Sequence, residues 1–441
     1  MVKEGLRFVL TLICLMSVIL FIASLALGYW LYFGVPMNME PFIVDYSRPG
    51  GPVLRAVESP HPYPANWTDR LVLKVPYARL RIDNLTLENG DILLIVDVNT
   101  GDMWLWAGNG TGLLTKTFYA NSTGFIDLNI TIIDDGDGRT SWGLRIRTYV
   151  TDIWVLRAKP YILIVILPIA LPFVPAWALA AFLQVLFTAL LIASWASRKG
   201  FHSRVLRGWR EPFFKSFQNP LYALPFIATA TFTGTIALTL LLESMGVGAG
   251  LTMELPGPLL VLMETTYAAV VEEIGFRLIL IGLPLALVAS AKANMGRSRA
   301  LVFLKALFCP GALDRDLKKT LRPLMAFLVL ASSAAFGLVH VLFGAWEPGK
   351  ALTATIAGLV MAFCFVRYGL HVSMLVHWYF NYHLQVWSVA YDLIGPPYDL
   401  LDVFVVLYEI ALGALSLLVF AVQGLRLAIR KARGIKSEGI R

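Results

Sequence analysis

Apolar residues in this chain fall into runs of two kinds. One long run extends from Phe8 to about Val35, and seven more lie near residues 160–195, 220–243, 258–291, 323–346, 350–369, 371–393 and 403–425. A helix that crosses a bilayer needs about 20 apolar residues, so eight spans are expected. The first run follows Lys3 and Arg7 and ends in the aromatic group Tyr29, Trp30, Tyr32 and Phe33. It exceeds the roughly 7–15-residue apolar core of a cleaved signal peptide and reads as a membrane anchor.

Between residues 36 and 156 the texture is different. Short, alternating or β-branched runs such as Leu71–Val75, Ile92–Val98, Ile126–Ile133 and Leu144–Val150 are punctuated by Gly, Asn and Asp, the pattern of strands with one buried face. The predicted fold class is an α-helical polytopic membrane protein, of about eight transmembrane helices, with an all-β extracytoplasmic insert domain. The expected divisions are an anchor at 1–35, the β-rich domain at 36–156, and a second helix with its basic loop at 157–218. A membrane core follows at 219–425, with a basic tail at 426–441.

Composition supports this division. With 57% apolar and 15% charged residues and a mean hydropathy of +0.68, the chain is membrane-embedded over most of its length. Residues 36–156 hold 14 acidic and 10 basic side chains, the remainder 15 and 27, so the net +8 flanks membrane segments and gives no nucleic-acid surface. Basic residues gather at 198–215, at 292–322 and in the tail. Positive loops face the cytoplasm, which places both termini there and residues 36–156 outside the cell membrane. The segment 302–323, part apolar and part basic, is expected to lie as an interfacial helix on the cytoplasmic face.

Five N-x-Ser/Thr acceptors, at Asn66, Asn84, Asn109, Asn121 and Asn129, all fall in the β-rich stretch and are candidate glycosylation sites on an outward surface. Asp134-Asp135-Gly136-Asp137-Gly138 lacks the spacing and terminal Glu of an EF-hand loop and reads as a turn. The three cysteines, Cys14, Cys309 and Cys364, lie in or beside apolar runs and leave the insert without a disulfide.

The chemistry is carried by ionisable residues inside apolar runs, where they are costly and usually functional. In Glu272-Glu273-Ile274-Gly275-Phe276-Arg277, helical spacing pairs Glu273 with Arg277 four residues on. Glu272, about 100° around the helix, is left to face a wet cavity. Phe336 and His340 share one helical face, as do His377 and Asn381. A glutamate and a histidine can deprotonate water, and a second histidine and an amide can bind the oxyanion formed when that water attacks a peptide carbonyl. Zinc is the competing chemistry, but no H-E-x-x-H helix supplies paired ligands, and the expected mechanism needs no cofactor.

The ordered series E-E-x-x-x-R, F-x-x-x-H, H-x-x-x-N over these residues resembles the CPBP family of intramembrane glutamic endopeptidases, which includes the CaaX-prenyl proteases and bacterial Abi-type proteins. The resemblance covers residues 220–425. It implies that Glu272 is the catalytic glutamate and that His340 helps it activate water, with His377 and Asn381 at the oxyanion site. Glu273 and Arg277 fall at the family's supporting positions. The implied activity is hydrolysis of a peptide bond in a membrane-associated protein or peptide. Two alternatives remain open: a non-catalytic relative that binds a peptide or serves immunity, and a transporter or receptor with an outer ligand-binding domain. The β-rich insert is no part of the family core, and its partner is unknown. Residue counting also places His340 toward the outer end of its span and His377 toward the inner end of its own, whereas one site requires similar depth.

Overall fold

A computed structural model describes residues 2–432 except 36, 40–41, 44–52, 55–56, 74, 76, 122–124, 152–156, 165–166, 198–199, 209, 211, 253–257, 294–297, 343 and 345. The chain forms two compact units. One comprises Met1–Leu31, Pro160–Pro172 and Ala181–Arg441, the other Tyr32–Lys159 and Phe173–Ala180.

The second unit is built of antiparallel sheets, as the alternating runs require. In one, the strands Thr68–Leu73, Ile126–Ile133, Ile92–Asp97 and Met103–Ala107 lie side by side in that order. In the other, Tyr77–Thr86 pairs with Gly143–Thr151 at the centre of six strands. Leu93 and Ile95 from the first sheet and Leu80, Ile82, Leu144 and Ile146 from the second are fully buried in one shared core. Alternation along Tyr77–Thr86 changes parity between Ile82 and Leu85, both buried. The register shifts around Ile146 account for it, since a bulge moves the following residues to the other face. At the bulge the Asp83 carboxylate accepts the Arg147 backbone N–H at 2.9 Å.

Helices dominate the rest of the chain. In chain order these are α1 (Val2–Gly34), α2 (Ala176–Ala196), α3 (Phe201–Gly208), α4 (Phe213–Ser216), α5 (Pro220–Ser244) and α6 (Pro258–Glu273). They are followed by α7 (Leu283–Ala291), α8 (Arg299–Phe308), α9 (Arg315–Leu342), α10 (Lys350–Tyr368), α11 (Leu370–Trp378), α12 (Gln385–Ile394) and α13 (Tyr398–Ala432). Among the described residues, seven helical stretches are long and apolar enough to cross a membrane. This is a multi-pass membrane protein.

Two expectations are corrected. The apolar run 371–393 is helical as expected: α11, a π-helical segment at Tyr379–His383 and α12 follow one another, with Leu384 between them in right-handed helical backbone. The run 160–195 is not one helix: Tyr161–Ile164 and Leu167–Ala170 form an antiparallel hairpin, and α2 begins only after Pro175. Pro160, Pro168, Pro172 and Pro175 lack N–H donors, so a helix through them would leave backbone carbonyls unpaired. The single interfacial helix expected at 302–323 is instead α8, a 3-10 turn at Pro310–Ala312 and the first turns of α9.

α9 and α10 pack closely against each other beside the site. A Cβ on Gly337 would meet Thr355 Oγ1 at 2.0 Å and the Ala351 carbonyl oxygen at 2.2 Å. Only glycine lets the two backbones approach this far, and Gly337 lies between Phe336 and His340.

Candidate active site

The two glutamates occupy the last turn of α6, immediately before a π-helical stretch, Ile274–Gly282, that leads without interruption into α7. His377 and Asn381 stand at the junction of α11 with the second π-helical segment. A π turn inserts a residue and re-aims the side chains around it, and such turns recur at functional sites.

Glu273 and Arg277 pair as expected, with Arg277 Nε 3.3 Å from Glu273 Oε2 and both side chains wholly buried. Arg277 also donates to the Gly358 carbonyl at 3.3 Å and lies 4.6 Å from the centre of the Phe336 ring. The remaining capacity of Glu273 is taken by the Ser373 hydroxyl, which donates to Oε2, and by His377 Nδ1, 3.0 Å from Oε1. That bond commits Nδ1 and leaves Nε2 as the free ring atom, 3.6 Å from Glu272 Oε2. Glu272 keeps 20% of its side-chain surface exposed and Glu273 none. Glu272 is the accessible carboxylate. It is also close enough to interact electrostatically with His340, Lys350 and Arg277.

Phe336 packs edge-on against His340, His377 and Phe276, with ring centres 4.8, 5.7 and 5.2 Å away. His340 Nδ1 lies 2.7 Å from the Phe336 carbonyl oxygen, so its Nε2 is the atom left for other partners. Asn381 donates to the Thr265 carbonyl at 2.7 Å, joining the π segment to α6, and retains a second amide hydrogen.

His340, His377, Asn381, Phe336 and Lys350 line one cavity of about 320 Å³. Its wall on α10 includes Lys350, Thr353, Ala354, Ala357 and Met361. This is one helix face about 16 Å long at 1.5 Å per residue. His340 and His377 both pack on the Phe336 ring, so the two histidines come together at this cavity despite the different depths that residue counting gave them. Glu272 is not among the lining residues and reaches this space through His377.

Residues 254–383 match the protein family described as type II CAAX prenyl endopeptidase, Rce1-like. The chain carries an Rce1-like CPBP domain. The match includes every residue of the three motifs, from Glu272 to Asn381. No curated protein and no solved structure matches the chain. The buried Glu–His contacts of the Rce1-like domain are consistent with a glutamyl protease site.

Sequence reasoning missed several residues around this domain's site. Lys350 was hidden in a short loop, and only the cavity shows that it faces the histidines. It lies 3.9 Å from the centre of the Trp346 ring. Ser373 and Thr265 carry no signal beyond their helical positions. Tyr161, on the unexpected hairpin, accepts the Tyr267 hydroxyl at 2.7 Å through its backbone carbonyl. A second buried polar group lies on the same helical stretch as His377: His383 contacts Ser24 Oγ at 3.0 Å and Glu409 Oε1 at 3.3 Å, and Tyr379 donates to Glu409 at 3.2 Å.

In the β unit, Asn66, Asn109 and Asn129 are exposed and Asn84 and Asn121 half-buried. Asp134, Asp135 and Asp137 lie in the connection between Ile126–Ile133 and Gly143–Thr151, where each accepts the backbone N–H two residues on, at 2.6, 3.1 and 2.7 Å. Such bonds stabilise turns.

Proposed function

We propose that the protein is an intramembrane endopeptidase that hydrolyses a peptide bond in a membrane-associated protein or peptide. The observation that carries this reading is His377 held between the two glutamates, with one nitrogen on Glu273 and the other facing Glu272, in the wall of a cavity shared with His340 and Asn381. The Glu272–His377 pair takes a proton from a bound water. The water oxygen adds to the peptide carbonyl carbon, and the oxyanion is stabilised by the free amide hydrogen of Asn381. His340, facing the same space, helps hold the water. When the C–N bond breaks, the pair returns the proton to the leaving amine. Compared with the division of labour implied by the family resemblance, His377 moves from the oxyanion toward the base.

Arg277 and Glu273 serve as the frame. Their pair, with Ser373, fixes His377 Nδ1 and hence the direction of Nε2. The basic loops and tail support an orientation with both termini cytoplasmic and the β unit outside the cell membrane, where the exposed Asn66, Asn109 and Asn129 are accessible to glycosylation.

The test is turnover of a membrane-embedded peptide mixture by purified protein in proteoliposomes, with products read by mass spectrometry. New termini should appear with wild type and be absent with Glu272→Gln, which preserves shape but cannot accept the proton. Equal cleavage by both would refute the assignment.

A further inference from the structure

A second cavity, of about 830 Å³, lies where the start of α1, the segment Pro212–Lys215 and the end of α13 come together. Its lining combines two chemistries. Arg7, Lys215 and Arg426 contribute three cations, and among the described residues no carboxylate belongs to the lining. The remainder is almost entirely apolar and includes Leu10, Phe214, Leu415 and Leu418.

The placement of the cations is informative. Arg7 stands at the beginning of the apolar run of α1, and Arg426 at the end of that of α13, so both mark the level at which a span leaves hydrocarbon. From Arg426 back to Leu415 the wall on α13 descends about 16 Å into the span at 1.5 Å per residue. Leu6 and Leu418, on the two helices, are 56% and 62% exposed, so this wall opens toward the bilayer. A positive collar above an apolar trough open to hydrocarbon is complementary to one kind of molecule.

We propose that this cavity is a binding site for an anionic phospholipid. The phosphate sits among Arg7, Lys215 and Arg426, and the acyl chains lie along Leu10, Leu415 and Leu418. Arg7 is held toward the collar by a 3.4 Å hydrogen bond from its guanidinium to the Arg210 carbonyl. Basic pockets between membrane helices bind acidic headgroups, with each cation worth about 1 kcal/mol. The expected preference for an anionic over a zwitterionic lipid is therefore on the order of a hundredfold in affinity. A lipid bound here would join the first and last helices of the unit. This reading does not depend on peptide hydrolysis.

The test uses the full-length protein in detergent micelles and reads thermal unfolding during titration with dioleoylphosphatidylglycerol, dioleoylphosphatidylcholine or inorganic phosphate. Phosphatidylglycerol should raise the midpoint of the wild type at concentrations about a hundredfold lower than phosphatidylcholine, and phosphate should have no effect. The triple variant Arg7→Gln, Lys215→Gln, Arg426→Gln should lose the phosphatidylglycerol response. If the triple variant does not fold, Arg7→Gln and Arg426→Gln are compared singly, and each should weaken that response. Equal responses to the two lipids would show apolar filling only. A response to phosphate alone would show an anion site without a lipid, and undiminished responses in the variants would place the lipid elsewhere. Each of these results overturns the proposal.

Discussion

His377 Nε2 lies 3.6 Å from Glu272 Oε2, while Nδ1 of the same ring is fixed 3.0 Å from Glu273 Oε1. One imidazole is therefore addressed by two carboxylates of different character, one sealed and one accessible. If this arrangement performs hydrolysis, His377→Ala should remove cleavage as completely as Glu272→Gln. Asn381→Ala, which deletes one oxyanion donor, should retain activity reduced by roughly 10²–10³ in rate. Single-turnover rates on a defined membrane peptide distinguish the two classes. Near-normal turnover by His377→Ala would remove it from the reaction.

Arg277 predicts a stability effect distinct from catalysis. Its guanidinium and the Glu273 carboxylate have no exposed surface, and the pair lies between α9, α10 and α11. Breaking a buried pair by deleting one partner typically costs about 3–5 kcal/mol, because the other charge is left uncompensated. Arg277→Ala should lower the unfolding midpoint in detergent well below that of Glu272→Gln, whose residue is partly exposed. Equal midpoints for Arg277→Ala and wild type would show that the pair contributes nothing to folding.

The charge asymmetry of the loops predicts topology. In intact cells, with the native cysteines replaced, an impermeant thiol reagent should label Thr100→Cys in the β unit and leave Lys436→Cys in the tail unlabelled. The reverse pattern would invert the orientation.

The β unit carries a pH-sensitive cluster. His61 Nε2 lies 2.9 Å from Glu58 Oε1, and Arg145 donates to the same carboxylate. The hydrogen bond to Glu58 holds His61 above its ordinary value, and the bond from Arg145 holds Glu58 below its own. A raised histidine stabilises fully below its unfolded value of about 6.5 and loses that contribution as pH rises through the folded value. A depressed glutamate stabilises above about 4.3 and loses its contribution as pH falls through the folded value. The advantage of wild type over His61→Gln should therefore be greatest between about pH 5 and 6 and shrink in mild alkali. Hydrogen exchange in the strand Gly143–Thr151, corrected for intrinsic exchange rates, reads this directly. An advantage that grows with pH would contradict the assignment.

Much of the site was legible because its determinants are local. The Glu273–Arg277 pair follows from helical spacing, and the facing of Phe336 with His340 and of His377 with Asn381 follows from the same period. The hidden parts depend on residues far apart in the chain. Lys350 becomes a lining residue only because the Gly337 contact draws α9 against α10. The second buried group required α1 and α13 to meet at His383.

The sequence by itself determined that long apolar runs cross a membrane, that the stretch of alternating runs after the first of them forms antiparallel sheets, and that three polar motifs stand on separate apolar segments. These follow from the separation of apolar from polar positions and from the period of each element. Tertiary structure decided where an apolar run is not helical throughout, as at the 160–170 hairpin, because hydropathy averages over a window and is blind to backbone hydrogen-bond register. It also decided that His377, rather than empty space, stands beside Glu272. The two π-helical segments set that direction, and their register is a property of packed helices rather than of any residue alone.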